Sequence, residues 1–218
     1  MKICIDPGHG GKQPGAVGTK VVEKDIVLKV ALEVGGHITR HGIEVIYTRT
    51  TDIDVSLQGR CDIANNAKAD YFLSIHANSF TGPSANGTET YYYKGDEKGL
   101  LMARCIQESC VAVTGLSDRG LKTSDLHVIN ETKMTAVLHE IAFLSNPKEQ
   151  ELLLNDCWLY KVAEAIAKGF LKSVYIPWVP EVVIPDEEVS LKDKIDTLTK
   201  ENEDLREKIN KIIEIIEE

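Results

Sequence analysis

Lys2-Ile3-Cys4-Ile5-Asp6-Pro7-Gly8-His9-Gly10-Gly11 is the stretch on which the reading of this chain turns. A short apolar run of strand type stops at Pro7-Gly8, and a glycine-rich turn then presents a histidine beyond the strand end. Outward from there, strands and helices alternate. Residues 23–40 carry Ile26, Val27, Val30, Ala31, Val34 and Ile38 at helical spacing, and His41-Gly42 stops that helix. Residues 44–48 read as a second strand. Residues 56–68 read as a helix with Ser56 as N-cap. Residues 70–76 form a third strand, 89–93 a β-rich run, 96–113 a helix and 135–143 a further strand. Asn146-Pro147-Lys148-Glu149 has an N-cap Asn, proline at the first helical position and glutamate at the third, and it starts a helix to about Asn155. A last helix, 158–174, closes the body. Alternation of this kind predicts an α/β fold with a mostly parallel or mixed sheet flanked by helices.

The 218 residues are 43% hydrophobic and 27% charged, the composition of an ordinary folded chain. The net charge of −9 argues against a basic nucleic-acid-binding surface, so no nucleic-acid partner is expected. No apolar run approaches the roughly 20 residues of a membrane helix, and no membrane insertion is expected. Residues 181–218 hold 13 acidic and 6 basic residues, so most of the acidity lies in the tail and the body is nearly neutral. Five cysteines, an odd number without regular spacing, read as reduced structural thiols of a chain folded in a reducing compartment. Met1–Asp6 runs straight into a strand, and no signal peptide is expected.

Three units are predicted: a body over 1–175, a proline-rich linker over 176–188 with Pro177, Pro180 and Pro185, and a helix over 189–218. In the last, Ile195, Asn202, Ile209 and Ile216 are seven apart and interleave with Leu191, Leu198, Leu205 and Ile212. Isoleucine at a, leucine at d and one asparagine at an a position favour a parallel two-stranded coiled coil, hence a homodimer. The alternative is an amphipathic helix folded back on the body.

Four positions carry candidate chemistry. His9 follows the first strand. Glu23 opens the first helix, where a carboxylate also suits the helix dipole. His76 ends the apolar strand Tyr71-Phe72-Leu73. Two histidines and a carboxylate make a plausible ligand set for catalytic zinc, which keeps a fourth position open. Glu140 lies within the apolar run 136–144, where burying a carboxylate is costly unless a partner or a task accounts for it; a salt bridge and a general base are both compatible with the position. His139 should point to the opposite face by strand alternation and is not taken as a ligand. His37 and His41 are four apart on a helix, but Ile38 rules out an HExxH motif, and His41 suits the helix C-terminus.

Together the blocks at 6–11, Glu23, 56–79, Asn86–Tyr92 and His139–Asn146 resemble the zinc-dependent N-acetylmuramoyl-L-alanine amidases of the amidase-3 type, over roughly residues 1–173. The resemblance implies His9, Glu23 and His76 as zinc ligands and Glu140 as the catalytic glutamate. It implies scaffold or supporting roles for Arg60 and Asn65, and bacterial peptidoglycan as substrate. Thr135, Ala142 and Asn130 depart from the family pattern, so no peptide-stem preference is carried over. A wall-directed enzyme without a signal peptide points to a phage endolysin released through a pore, or to a sporulation enzyme. A zinc peptidase or deacetylase, and a non-enzymatic wall-binding module, are the rival readings.

Overall fold

The computed structural model describes residues 1–180, 197–203, 205–206 and 208–209. Six strands form one sheet: β1 (Lys2–Pro7), β2 (Glu44–Tyr47), β3 (Tyr71–Asn78), β4 (Thr88–Tyr92), β5 (Asp118–Lys122) and β6 (Thr135–Phe143). Their spatial order is β2-β1-β3-β6-β4-β5. β2, β1, β3 and β6 run parallel, β4 is antiparallel to β6, and β5 is parallel to β4. The last strand in sequence thus sits near the centre of the sheet.

The helices are α1 (Glu23–Thr39), α2 (Leu57–Asn66), α3 (Glu97–Thr114), α4 (His127–Asn130), α5 (Pro147–Leu153) and α6 (Asp156–Ser173). Side-chain caps start several of them: Ser56 accepts from Gly59 N, Asp96 from Lys98 N, and Asn146 from Lys148 N and Glu149 N. The apolar stripe of α1, with Val27, Val30, Ala31, Val34 and Ile38 all fully buried, packs with α3 and α6 on one face of the sheet. A smaller cluster with Cys61, Ala64, Phe72, Ile129 and Leu138 fills the other face beneath α2 and α4. All five cysteines are free thiols, and four are buried.

The first compact unit runs from Met1 to Trp178. Ile176 and Trp178 pack against its core, and the Trp178 ring lies 5.0 Å from that of His41. A second unit spans Val179–Glu218. Its described residues from 197 to 209 are helical, and Leu198, Leu205 and Ile209 are each more than half exposed. Leu191, Ile195, Ile212, Ile216 and residues 181–188 of the linker lie outside the described residues. Among the described residues, no helix is long and apolar enough to cross a membrane.

His139 is fully buried on the α3 side of β6, and its ring contacts Thr90 Oγ1 at 2.8 Å and Thr88 Oγ1 at 3.4 Å. Burial pushes its pKa down to about 3. The folded chain therefore refuses a proton that the unfolded chain accepts near its ordinary value of 6.5. The stability so conferred is complete above that value and is lost as the pH falls towards 3, at up to about 1.4 kcal/mol per pH unit. Denaturant titrations of wild type and His139→Gln in chelator, from pH 7 to pH 4, should show the wild type losing stability relative to the variant by about that slope. Parallel curves would count against a neutral buried imidazole.

Candidate metal centre

β1 and β3 are neighbours, while the chain leaves β1 first for β2 on the other side. Loops that diverge at such a switch point leave a crevice at the carboxyl ends of the strands. His9 follows β1, His76 lies near the end of β3, and Glu23 opens α1 beside them. Their ligand atoms lie within 4.8 Å of one another. His76 Nδ1 is 2.9 Å from Glu23 Oε1, and His9 Nε2 is 3.2 Å from the same oxygen. The two rings meet edge to face at 4.9 Å. Three donors of the zinc-binding type thus converge on one point, as a three-ligand site with an open position requires.

The backbone around the cluster is shaped to it. A Cβ on Gly8 would lie 2.3 Å from the His76 ring, and one on Gly15 would lie 2.5 Å from Glu23 Oε2. Only glycine at these two positions lets the loop between β1 and α1 close over these side chains. His9 itself holds φ at +58°, a left-handed conformation that costs a non-glycine residue energy. Glu23 is buried and accepts from Ala16 N at 2.8 Å and Ala77 N at 3.1 Å. Burial alone would raise its pKa, but the hydrogen bonds to His76 and His9 outweigh it and hold the carboxyl well below the usual range. For His76, burial works downward, and the contact with Glu23 together with the charges of Glu140, Glu23 and Asp6 turns the net shift upward.

Beneath the cluster lies a buried network that includes Arg60, expected from the resemblance to have a scaffold role, together with Asp6, Thr48, Arg49 and Ser74, which sequence analysis left without one. Asp6 is fully buried and accepts from Thr48 Oγ1 at 2.5 Å, Arg60 Nη1 at 2.6 Å and Ser74 Oγ at 2.7 Å. Arg60 also donates to Pro7 O at 2.7 Å and His9 O at 2.6 Å. Arg49, likewise buried, donates to Pro7 O, Gly8 O and Lys24 O. These cations hold the carbonyls of the loop that carries His9. Asn65 pins the approach to β6 by bonding Glu131 O and Lys133 N.

Glu140 stands on β6, directly beside His76 in the register of β3 and opposite Glu89 in that of β4. It shares a sheet face with Leu138, while His139 faces α3. Its Oε2 atom is buried without a hydrogen-bond partner among the described residues. Burial lifts the Glu140 pKa to about 7, aided by the nearby Glu23 and Glu89 charges and opposed by His76 and Lys122.

Glu89 and Glu149 carry weight that sequence reading missed. Glu149 was legible as a helix-start residue, yet its oxygens accept from Gly87 N at 2.7 Å and Phe143 N at 2.6 Å, tying the starts of β4 and α5 to the end of β6. His37 and His41 do not join the metal cluster; they contact Trp178 at the end of α1.

Arg60→Ala would leave Asp6 charged and buried without its cation, and the loop carbonyls unpaired. The expected loss is about 3–5 kcal/mol of stability, with weakened binding of a divalent ion at His9. Denaturation and metal titration check this, and an unchanged affinity in a folded variant would detach the network from the site.

A family model described as N-acetylmuramoyl-L-alanine amidase matches residues 3–172. The chain is 40% identical over 170 residues to N-acetylmuramoyl-L-alanine amidase LytC of Bacillus subtilis (strain 168), covering 77% of this chain and 34% of LytC. It is 39% identical over 176 residues to the endolysin of Bacillus phage SPP1, covering 77% of this chain and 64% of that protein. It therefore spans about a third of the first relative and under two thirds of the second. Among solved structures, the catalytic domain of CwlV, N-acetylmuramoyl-L-alanine amidase from Bacillus (Paenibacillus) polymyxa var. colistinus, is similar at TM-score 0.77 and 39% identity, over 81% of this chain and 99% of that one. Through residues 3–172 the chain belongs to the N-acetylmuramoyl-L-alanine amidase family of the amidase-3 type.

Proposed function

We propose that this chain is a zinc-dependent hydrolase of bacterial peptidoglycan, cleaving the amide between the lactyl group of N-acetylmuramic acid and L-alanine. The observation that carries the reading is that His76 of the His-Glu-His donor cluster pairs in strand register with Glu140, whose buried Oε2 has no hydrogen-bond partner among the described residues. A buried unsatisfied acceptor is expensive unless something comes to it. The family and its named relatives support the choice of bond.

His9, Glu23 and His76 would hold the metal. Zinc, when bound, supplies Lewis acidity and lowers the pKa of water at the site to about 7. Glu140 then does the proton work. Burial raises its proton affinity above that of an ordinary carboxylate, which suits a base working near neutrality. It accepts the proton of the attacking water as the C–O bond forms. It returns that proton to the alanine nitrogen as the C–N bond breaks, leaving a lactyl carboxylic acid, whose remaining proton passes to the freed amine, so that the products are a carboxylate and an ammonium.

Glu140→Gln should keep fold and zinc stoichiometry and lose about 10²–10⁴-fold in rate, the usual worth of a general base. On purified walls the wild type should release new alanine amino termini without new reducing sugar, and a chelator should abolish the release. Full activity of Glu140→Gln would remove the base assignment. Acetate release instead of new amino termini would favour a deacetylase.

The tail completes the reading as a parallel coiled coil that makes the enzyme a homodimer. The exposed Leu198, Leu205 and Ile209 of the described helix support it. Two linked catalytic units would raise avidity for a polymeric wall. Light scattering at micromolar concentration should give the dimer mass, and a monomer mass would overturn the pairing. The phage relative, named an endolysin, supports action on the bacterial wall.

A further inference from the structure

The sheet face that carries Glu140 continues over β4 and β5, where a second charged group is built. Glu89 is only 2% exposed. Its Oε1 accepts from Asn78 Nδ2 at 2.9 Å and the Tyr91 hydroxyl at 2.7 Å. Its Oε2 accepts from Arg119 Nε and from Lys122 Nζ, each at 2.5 Å. Burial alone would raise the Glu89 pKa, but the hydrogen bonds from Lys122, Arg119 and Tyr91 outweigh it and hold it down to about 2. The carboxylate is thus fully charged, and two cations share it. The group carries an excess of one positive charge.

Position and exposure separate this group from a core ion pair. Asp6 and Arg60 are at most 3% exposed, whereas the side chains of Arg119 and Lys122 are 36% and 35% exposed. Arg119 is steadied further by the Phe143 ring, 4.7 Å from its guanidinium carbon, and by Asn86 O at 3.3 Å. One buried anion holds two half-exposed cations in place at the solvent side of the sheet. β5 lies two strands beyond β6, about 10 Å at the usual strand spacing.

The direction of the substrate follows from Glu140. A base that returns its proton to the leaving nitrogen has the peptide side of the amide next to it, and the peptide then runs away from the metal cluster. An extended peptide covers about 3.5 Å per residue. Arg119 and Lys122 reach back from β5 to Glu89 on β4, so a charged group on the residue after L-alanine would come within their reach. We propose that Arg119 and Lys122, positioned by Glu89, form a recognition site for a free carboxylate on the peptide stem. The site sets which stems are cleaved, and it rests on the amidase reading given above. A planar guanidinium beside an ammonium held on the same anion suits a carboxylate and not its neutral amide.

Two synthetic muramoyl peptides test this, differing only in a free carboxylate or a carboxamide on the residue after L-alanine. The wild type should favour the carboxylate by about tenfold in kcat/KM, mostly through KM, as for one charge-assisted contact. Lys122→Met should bring that ratio towards one, and Lys122→Arg should restore it, with melting curves checking the fold of each. A ratio of one in the wild type overturns the carboxylate site whatever the variants do, while hydrolysis of both peptides leaves the amidase reading standing. An unchanged ratio in folded Lys122→Met also overturns it. Cleavage of neither peptide overturns the amidase reading and this site with it.

Discussion

The ion pair of Asp6 with Arg60, both nearly excluded from water, is the constraint on which the centre depends. Two isolated charges in such a place would cost several kcal/mol each. Here the cost is offset because neither group has only one partner. Asp6 collects donors from three elements, and Arg60 spends its remaining donors on the carbonyls of Pro7 and His9. The loop between β1 and α1, with one proline and five glycines, has little reason of its own to adopt one shape. The arginines supply that reason, and they hold His9 in a left-handed conformation that would otherwise relax.

On this base, three carboxylates are given three electrostatic situations. Glu23 sits between two imidazoles and two backbone amides and stays charged. Glu89 is buried as deeply but is held charged by two cations, a phenol and an amide. Glu140 lies in one register line between the strands of His76 and Glu89, with one oxygen unpartnered among the described residues, and burial lifts its proton affinity to near neutrality. The same side chain thus meets three different sets of donors, and its proton affinity follows from them. Pairs of groups whose environments drive their pKa values apart are where acid–base roles divide.

Much of this was legible in the sequence. Periodicity located α1, α3, α6 and the strands β1, β3 and β6, because those elements bury one face or both and their apolar spacing records it. Alternation on β6 separated His139 from Glu140. β5 was not legible: Asp118-Arg119-Gly120-Leu121-Lys122 is polar, contains a glycine and shows no alternation, since its charged residues serve Glu89 and solvent rather than a core. α4 has a single turn and is too short for any period to show.

What the sequence determined by itself was local: which segments are helix or strand, where they stop, and which residue types stand at strand ends. Those properties follow from backbone sterics and from neighbours a few residues apart. Tertiary structure alone decided that β6, last in sequence, lies between β3 and β4, and that β4 runs against it. Strand order and direction depend on pairing between segments separated by tens of residues, to which local periodicity is blind. That pairing brings His76, Glu140 and Glu89 into one row. It also makes Arg60, 51 residues from His9, the donor that shapes its loop.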